Sequence, residues 1–150
     1  MMQFKISSEG DAPEFVDVVT SHIGKGVYAT RGYPNGSVIG EISGERHKDP
    51  YMGTSYTFEA DHGYQLEPFE PFRYLNHSCE PNCEFDWLDE PQTDTTCARS
   101  GLFLIATRDI QKREQFTIDY CWPAAFAIPC YCNHPKCRGW IVAKEELERI

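Results

Sequence analysis

Short alternations of apolar and polar residues, broken every few positions by glycine, proline, asparagine or aspartate, run through most of this chain. Phe15-Val16-Asp17-Val18-Val19 and Val27-Tyr28-Ala29-Thr30 are rich in β-formers, and each predicts a strand. Val38-Ile39-Gly40-Glu41-Ile42 and Ser55-Tyr56-Thr57-Phe58-Glu59 continue the pattern. Glu84 to Leu88 and Thr96 to Thr107 predict two further strands, parted by the acidic turn Asp89 to Asp94. In the second of these, Leu102, Leu104 and Ala106 alternate with Phe103, Ile105 and Thr107. A strand apolar on both faces belongs at the centre of a sheet. At the end, Ala143 to Ile150 has helix-forming composition, and a short terminal helix is expected there.

Between the first two strands, GKGVYA (Gly24 to Ala29) satisfies the form of a dinucleotide-binding fingerprint. That reading fails because the fingerprint needs a helix after its glycines. Here β-branched and aromatic residues run into the turn signal Tyr33-Pro34-Asn35-Gly36. The glycines still let backbone approach a ligand closely, or they form a tight hairpin turn.

A length of 150 residues suits one folded unit with its own core. No apolar run is long enough to span a bilayer, and the opening MMQFKISSEGD lacks the basic and apolar regions of a signal peptide. The expectation is a soluble, intracellular protein. Seven cysteines, an odd count, point to metal or thiol chemistry in a reducing compartment more than to a disulfide framework. Fourteen basic against 23 acidic residues give a net charge of −9. This argues against a protein that tracks nucleic-acid phosphates and favours a basic partner, although acidity is also a route to solubility.

Three segments carry the candidate chemistry. RYLNHSCEPNC (Arg73 to Cys83) packs an amide, an imidazole and two thiols into one turn-rich stretch, in which Pro81 interrupts regular structure. An ordered loop is expected. FTIDY (Phe116 to Tyr120) alternates, so Phe116, Ile118 and Tyr120 share one face, with Thr117 and Asp119 on the other. Ile118 and Tyr120 can therefore line one channel. In CYCNHPKCRGW (Cys130 to Trp140), Cys130, Cys132 and Cys137 offer three zinc ligands within eight residues. The fourth ligand must come from elsewhere, with His134 and Cys121 as local candidates; disulfides or packed thiols are the alternative. Cys83 and Cys97 read as packed thiols.

In this order, RYLNHSCEPN, REQFTIDY and CYCNHPKCRGW, preceded by GKGVYATRGYPNGSVIGEISGE, resemble the SET-domain family of protein lysine methyltransferases, over roughly residues 22 to 141. The resemblance implies a mostly β SET fold of the β-clip type, with a C-terminal pseudoknot and a zinc-bound post-SET tail. Residues 1–121 would be the SET domain with a short N-terminal extension, and 122–150 the zinc tail and terminal helix. It also implies S-adenosylmethionine as cofactor, with Gly24, Lys25, Gly26, Tyr56, Arg73, Asn76, His77 and Trp140 as its binding residues. Zinc would be held by Cys79 together with Cys130, Cys132 and Cys137. Tyr120 would be the catalytic tyrosine, and Ile118 and Tyr56 would line the lysine channel.

The implied function is S-adenosylmethionine-dependent methylation of a lysine in a basic protein segment such as a histone tail, with neither nucleic acid nor membrane as a direct partner. A noncatalytic zinc module that binds a basic peptide is the alternative. The chain departs from the family pattern at Ile42, where many members carry a channel tyrosine, and at Arg113-Glu114-Gln115-Phe116, where glycine often precedes Glu-Glu-Leu. The segment from Arg46 to Phe72 matches the family's variable insert and is short. At Ile118 the family often carries Phe or Tyr, and an aliphatic residue there implies room for di- or trimethyl-lysine.

Overall fold

The computed structural model describes residues 16–21, 24–49, 57–59, 64–89 and 100–150. Strands β1 (Val16–Ser21) and β2 (Gly24–Ala29) pair antiparallel, with Val27 and Ala29 buried beneath them. The glycines of GKG lie inside β2 rather than in a separate turn. Strand β3 (Val38–Glu41) joins the expected central strand, β9 (Ser100–Ala106), whose other edge carries β8 (Cys83–Asp89), all antiparallel. The apolar alternation explains this order: Leu102, Leu104 and Ala106 enter the core, while Phe103 and Ile105 remain half-exposed on the opposite face. A third sheet, in the order β4 (Gly44–His47), β6 (Gln65–Pro68), β5 (Phe58–Glu59), occupies the short insert.

Two further pairs differ from the sequence reading. The stretch read as an ordered loop contains a short strand, β7 (Asn76–His77), parallel to β10 (Thr117–Ile118). Its residues have no strong β preference, so pairing here is imposed by the neighbouring strand and not by local propensity. In the tail, β11 (Ile128–Pro129) pairs with β12 (Trp140–Ile141). The terminal segment is helical as expected but narrow, a 3-10 helix over Lys144–Arg149.

The segment leading into β10 is bonded on both sides. Toward β2, Ala29 N–H donates to Glu114 O and Phe116 N–H donates to Val27 O, at 2.9 and 2.8 Å. Phe116 is fully buried and meets Tyr33 edge-on, with ring centroids 5.5 Å apart. Toward the other side, buried Asn82 acts like a piece of strand: its Nδ2 donates to Gln115 O, and its Oδ1 accepts from Thr117 N–H, each at 2.8 Å. Ser78 N–H donates to Ile118 O at 2.9 Å and completes this edge.

Removing the Asn82 amide would strand two partly buried backbone groups. Asn82→Ala is expected to lower unfolding free energy by at least about 2 kcal/mol, read from urea denaturation. A midpoint equal to the wild type would show that these bonds contribute nothing net.

Candidate functional site

Tyr120 emerges from the end of β10, and three contacts define its position. Its hydroxyl donates to Leu75 O at 2.6 Å, a carbonyl presented at the end of the 3-10 turn Phe72–Tyr74. Its backbone N–H donates to His77 Nδ1 at 3.1 Å. Its ring meets those of His77 and Trp122, with centroids at 5.4 and 5.3 Å. Because Nδ1 of His77 accepts, the proton of the neutral ring sits on Nε2, which lies 3.4 Å from Cys79 Sγ. Burial lowers the His77 pKa, partly offset by Asp119, and favours this neutral form. Ile118 is buried two residues before Tyr120. Trp122 was not singled out in the sequence, where only its spacing from Tyr120 could have hinted at a shared face.

The sulfurs of Cys79, Cys130, Cys132 and Cys137 all lie within 4.8 Å of one another. Cys79 Sγ is 3.8 Å from Cys130 Sγ and 4.0 Å from Cys137 Sγ. Disulfide sulfurs would be about 2.05 Å apart, whereas the edge of a tetrahedron with zinc–sulfur bonds of about 2.3 Å is about 3.8 Å. The spacing fits zinc. Of the fourth-ligand candidates, it is Cys79 that the fold brings to the three tail thiols. His134 Nδ1 instead accepts from Lys136 N–H at 3.1 Å, and Cys121 is exposed outside the cluster.

Burial pushes the Cys79 and Cys130 thiols up. At Cys132 burial acts the same way, but the backbone at Cys79 and His134 and the neighbouring thiols outweigh it and bring the group down to about 6. Four sulfurs gathered at this spacing form a donor set that a soft cation such as zinc would suit. Backbone N–H groups of Arg138 and Gly139 add donors to Cys79 Sγ and Cys137 Sγ, at 3.3 and 3.4 Å. Cys83 is a buried thiol on β8, pushed up to about 12 by burial, and Cys97 lies outside the described residues.

An ion pair absent from the sequence reading ties the tail to the segment that follows β10. Arg138 Nη2 lies 2.9 and 3.0 Å from the two Asp119 oxygens and donates to Val142 O at 2.9 Å. The side chains are 8% and 18% exposed, so the pair is largely desolvated. Asp119 thus reaches the tail, and its Oδ1 also lies 3.6 Å from His77 Nδ1.

On the other side of β7, Asn76 Nδ2 donates to Lys25 O at 3.0 Å. Gly24 has φ +107°, and a Cβ there would meet nothing within 4 Å, so this glycine serves backbone conformation beside open space. The ammonium of Lys25 lies 4.6 Å from the centroid of the Tyr74 ring. Arg73 approaches Glu67 at 3.9 Å and the Tyr74 ring at 5.6 Å. Trp140 is partly exposed on β12, opposite Pro129. Tyr56 lies outside the described residues. Ile42 is buried, with its N–H donating to Leu102 O at 2.7 Å.

Residues 24–121 match the family model for the SET domain. The histone-lysine N-methyltransferase trithorax of Drosophila virilis is 29% identical over 144 residues, covering 85% of this chain and 4% of that protein. The human histone-lysine N-methyltransferase SETD1B is 30% identical over 106 residues, covering 68% of this chain and 5% of that protein. The chain thus spans only about a twentieth of the length of these relatives. Among solved structures, KRYPTONITE in complex with mCHG DNA and SAH superposes with a TM-score of 0.68 at 26% identity, covering 84% of this chain and 28% of that one. With the mostly β fold, the four-thiol cluster and a family match over most of its length, this chain belongs to the SET-domain family.

Proposed function

We propose that this chain is a protein lysine N-methyltransferase that uses S-adenosylmethionine and acts on a lysine in a basic protein segment, with histone tails as the substrate class its relatives' names suggest. The observation that carries this reading is the Tyr120 hydroxyl, held at 2.6 Å on Leu75 O directly before the Asn76-His77 strand. SAH, bound in the KRYPTONITE structure, is what remains after S-adenosylmethionine has given up its methyl group. The net charge of −9 suits a basic substrate.

S-adenosylmethionine, when bound, supplies a methyl group on a positively charged sulfonium. Gly24 to Gly26, Asn76 and His77 would hold it, with open space beside Gly24 and the Asn76 amide oxygen as an acceptor for its ammonium group. The attacking lysine must be neutral, which near pH 7 costs about 4.6 kcal/mol for an ordinary lysine. The half-buried aromatic wall of Tyr120 and Trp122 excludes water and reduces that cost. Tyr120, committed as a donor to Leu75 O, keeps its hydroxyl oxygen at a fixed place, where it orients the amine instead of moving with it. Zinc would be held by Cys79, Cys130, Cys132 and Cys137 and would supply a cross-link between the Asn-His loop and the tail.

Incubation with labelled S-adenosylmethionine and a panel of basic proteins tests the reading. Label transfer to lysine is expected, and binding of a basic peptide without transfer would favour the noncatalytic module. On an accepted substrate, Tyr120→Phe is expected to lower kcat about 100-fold or more while leaving cofactor affinity nearly unchanged. Wild-type turnover by this variant would remove the hydroxyl from the mechanism.

One zinc per chain is the expected metal content. Cys137→Ser should lose it and weaken cofactor binding, because the tail then loses its cross-link to the Asn-His loop. Full metal content in Cys137→Ser, or none in the wild type, would overturn the ligand set.

Ile118 offers no hydrogen-bonding group to anchor a water where an added methyl must sit. Di- or trimethyl-lysine is therefore expected at exhaustive reaction, with Ile118→Tyr shifting products toward monomethyl-lysine. Mass spectrometry showing monomethyl-lysine as the sole wild-type product would refute this.

A further inference from the structure

The Asn76 amide is fully committed on its nitrogen. One hydrogen of Nδ2 goes to Lys25 O at 3.0 Å, and the other goes to Gln115 Oε1 at 2.8 Å. The backbone acceptor Lys25 O fixes which end is nitrogen, since an oxygen there would face another oxygen, and Gln115 then presents Oε1 to the second hydrogen. Asn76 Oδ1 is thereby the end presented to a ligand.

Gln115 is itself rigidly delivered. Its backbone O accepts from Asn82 Nδ2 at 2.8 Å, and its other edge bridges to Tyr28. Its side chain occupies the space over Gly26: a Cβ on that glycine would lie 2.6 Å from Gln115 Oε1 and 3.2 Å from Asn76 Nδ2. The second glycine of Gly24-Lys25-Gly26 therefore makes room for the protein's own pair of amides. Gln115 falls in the Arg113 to Phe116 stretch, where the chain departs from the family pattern.

We propose that Gln115 is a positioning residue of the cofactor site. It holds the Asn76 amide in the orientation in which Oδ1 accepts from the ammonium group of the cofactor, so the site selects ligands that carry a cationic donor at that point. This rests on the reading of Asn76 as a cofactor-binding residue. Without the Gln115 acceptor, one Asn76 hydrogen loses its partner and only Lys25 O still holds the amide, which weakens the preference for presenting Oδ1 to the ligand. Gln115→Met keeps the length of the side chain and removes the acceptor, whereas Gln115→Glu keeps the acceptor.

The test is calorimetric binding of two ligands to the full chain: SAH, and 5′-methylthioadenosine, which lacks the amino-acid ammonium. Gln115→Met is expected to weaken SAH about tenfold and leave 5′-methylthioadenosine unchanged, while Gln115→Glu binds both within about threefold of wild type. Gly26→Ala, which pushes the Gln115 amide aside, should reproduce the Gln115→Met loss, and the double variant should be no worse than either single one. Equal weakening of both ligands by Gln115→Met would show a merely structural role and overturn the proposal. So would wild-type SAH affinity in Gln115→Met, or equal losses in the Met and Glu variants. Failure of the wild-type chain to bind SAH or S-adenosylmethionine at all would instead overturn the functional reading, and this proposal with it.

Discussion

The run from Arg113 to Tyr120 is bonded along both edges, and the site depends on that constraint. One edge is fixed by β2, through Ala29 and Val27, and the other by the 76–83 stretch, through Asn82 and Ser78. A strand held on one side alone could shift register, and a shift of one residue would turn Ile118 and Tyr120 outward and Asp119 inward. Buried Phe116 adds a steric lock against Tyr33. The positions of the Tyr120 hydroxyl, the Asn76 amide and the Asp119 carboxylate all follow from this one register.

Just beyond β10, neighbouring side chains then reach different partners. Tyr120 meets His77 and Trp122, while Asp119 meets Arg138 of the tail. His77 connects the two sides, accepting from Tyr120 N–H at Nδ1 and placing Nε2 beside Cys79 Sγ. A proton donor at that sulfur would orient it in the way that outer partners commonly orient metal ligands. The tail is thus tied to the segment carrying Tyr120 by an ion pair as well as by the thiol cluster. A buried pair of this kind adds little net stability when intact, yet losing one partner costs about 3–5 kcal/mol because the other charge stays desolvated. Its effect is to fix where the tail docks.

Residues at which the chain departs from the family pattern fall into two groups. Ile42 and Ile118 are both buried members of the apolar core, so the aliphatic substitutions remove phenols without opening the fold. Gln115 carries polar function: it keeps an amide pair intact over Gly26.

By itself the sequence determined the strands whose apolar alternation is long enough to read, above all β9 and its neighbours β3 and β8. It also determined the three tail cysteines, because metal-ligand spacing within eight residues is a local property. Side-chain alternation in FTIDY was legible for the same reason. The choice of Cys79 over His134 and Cys121 followed from family resemblance, and geometrically it became visible only once the loop and the tail were folded together. Tertiary structure alone decided the Asp119–Arg138 pair, the stacking of Trp122 on Tyr120, the hold of Asn82 on both sides of Phe116 and the role of Gln115. It also made a strand of Asn76-His77, which has little strand propensity of its own. Partners such as His77 and Tyr120, 43 positions apart, leave no periodic trace in the chain, since hydrogen bonding between them depends on a register that only packing establishes.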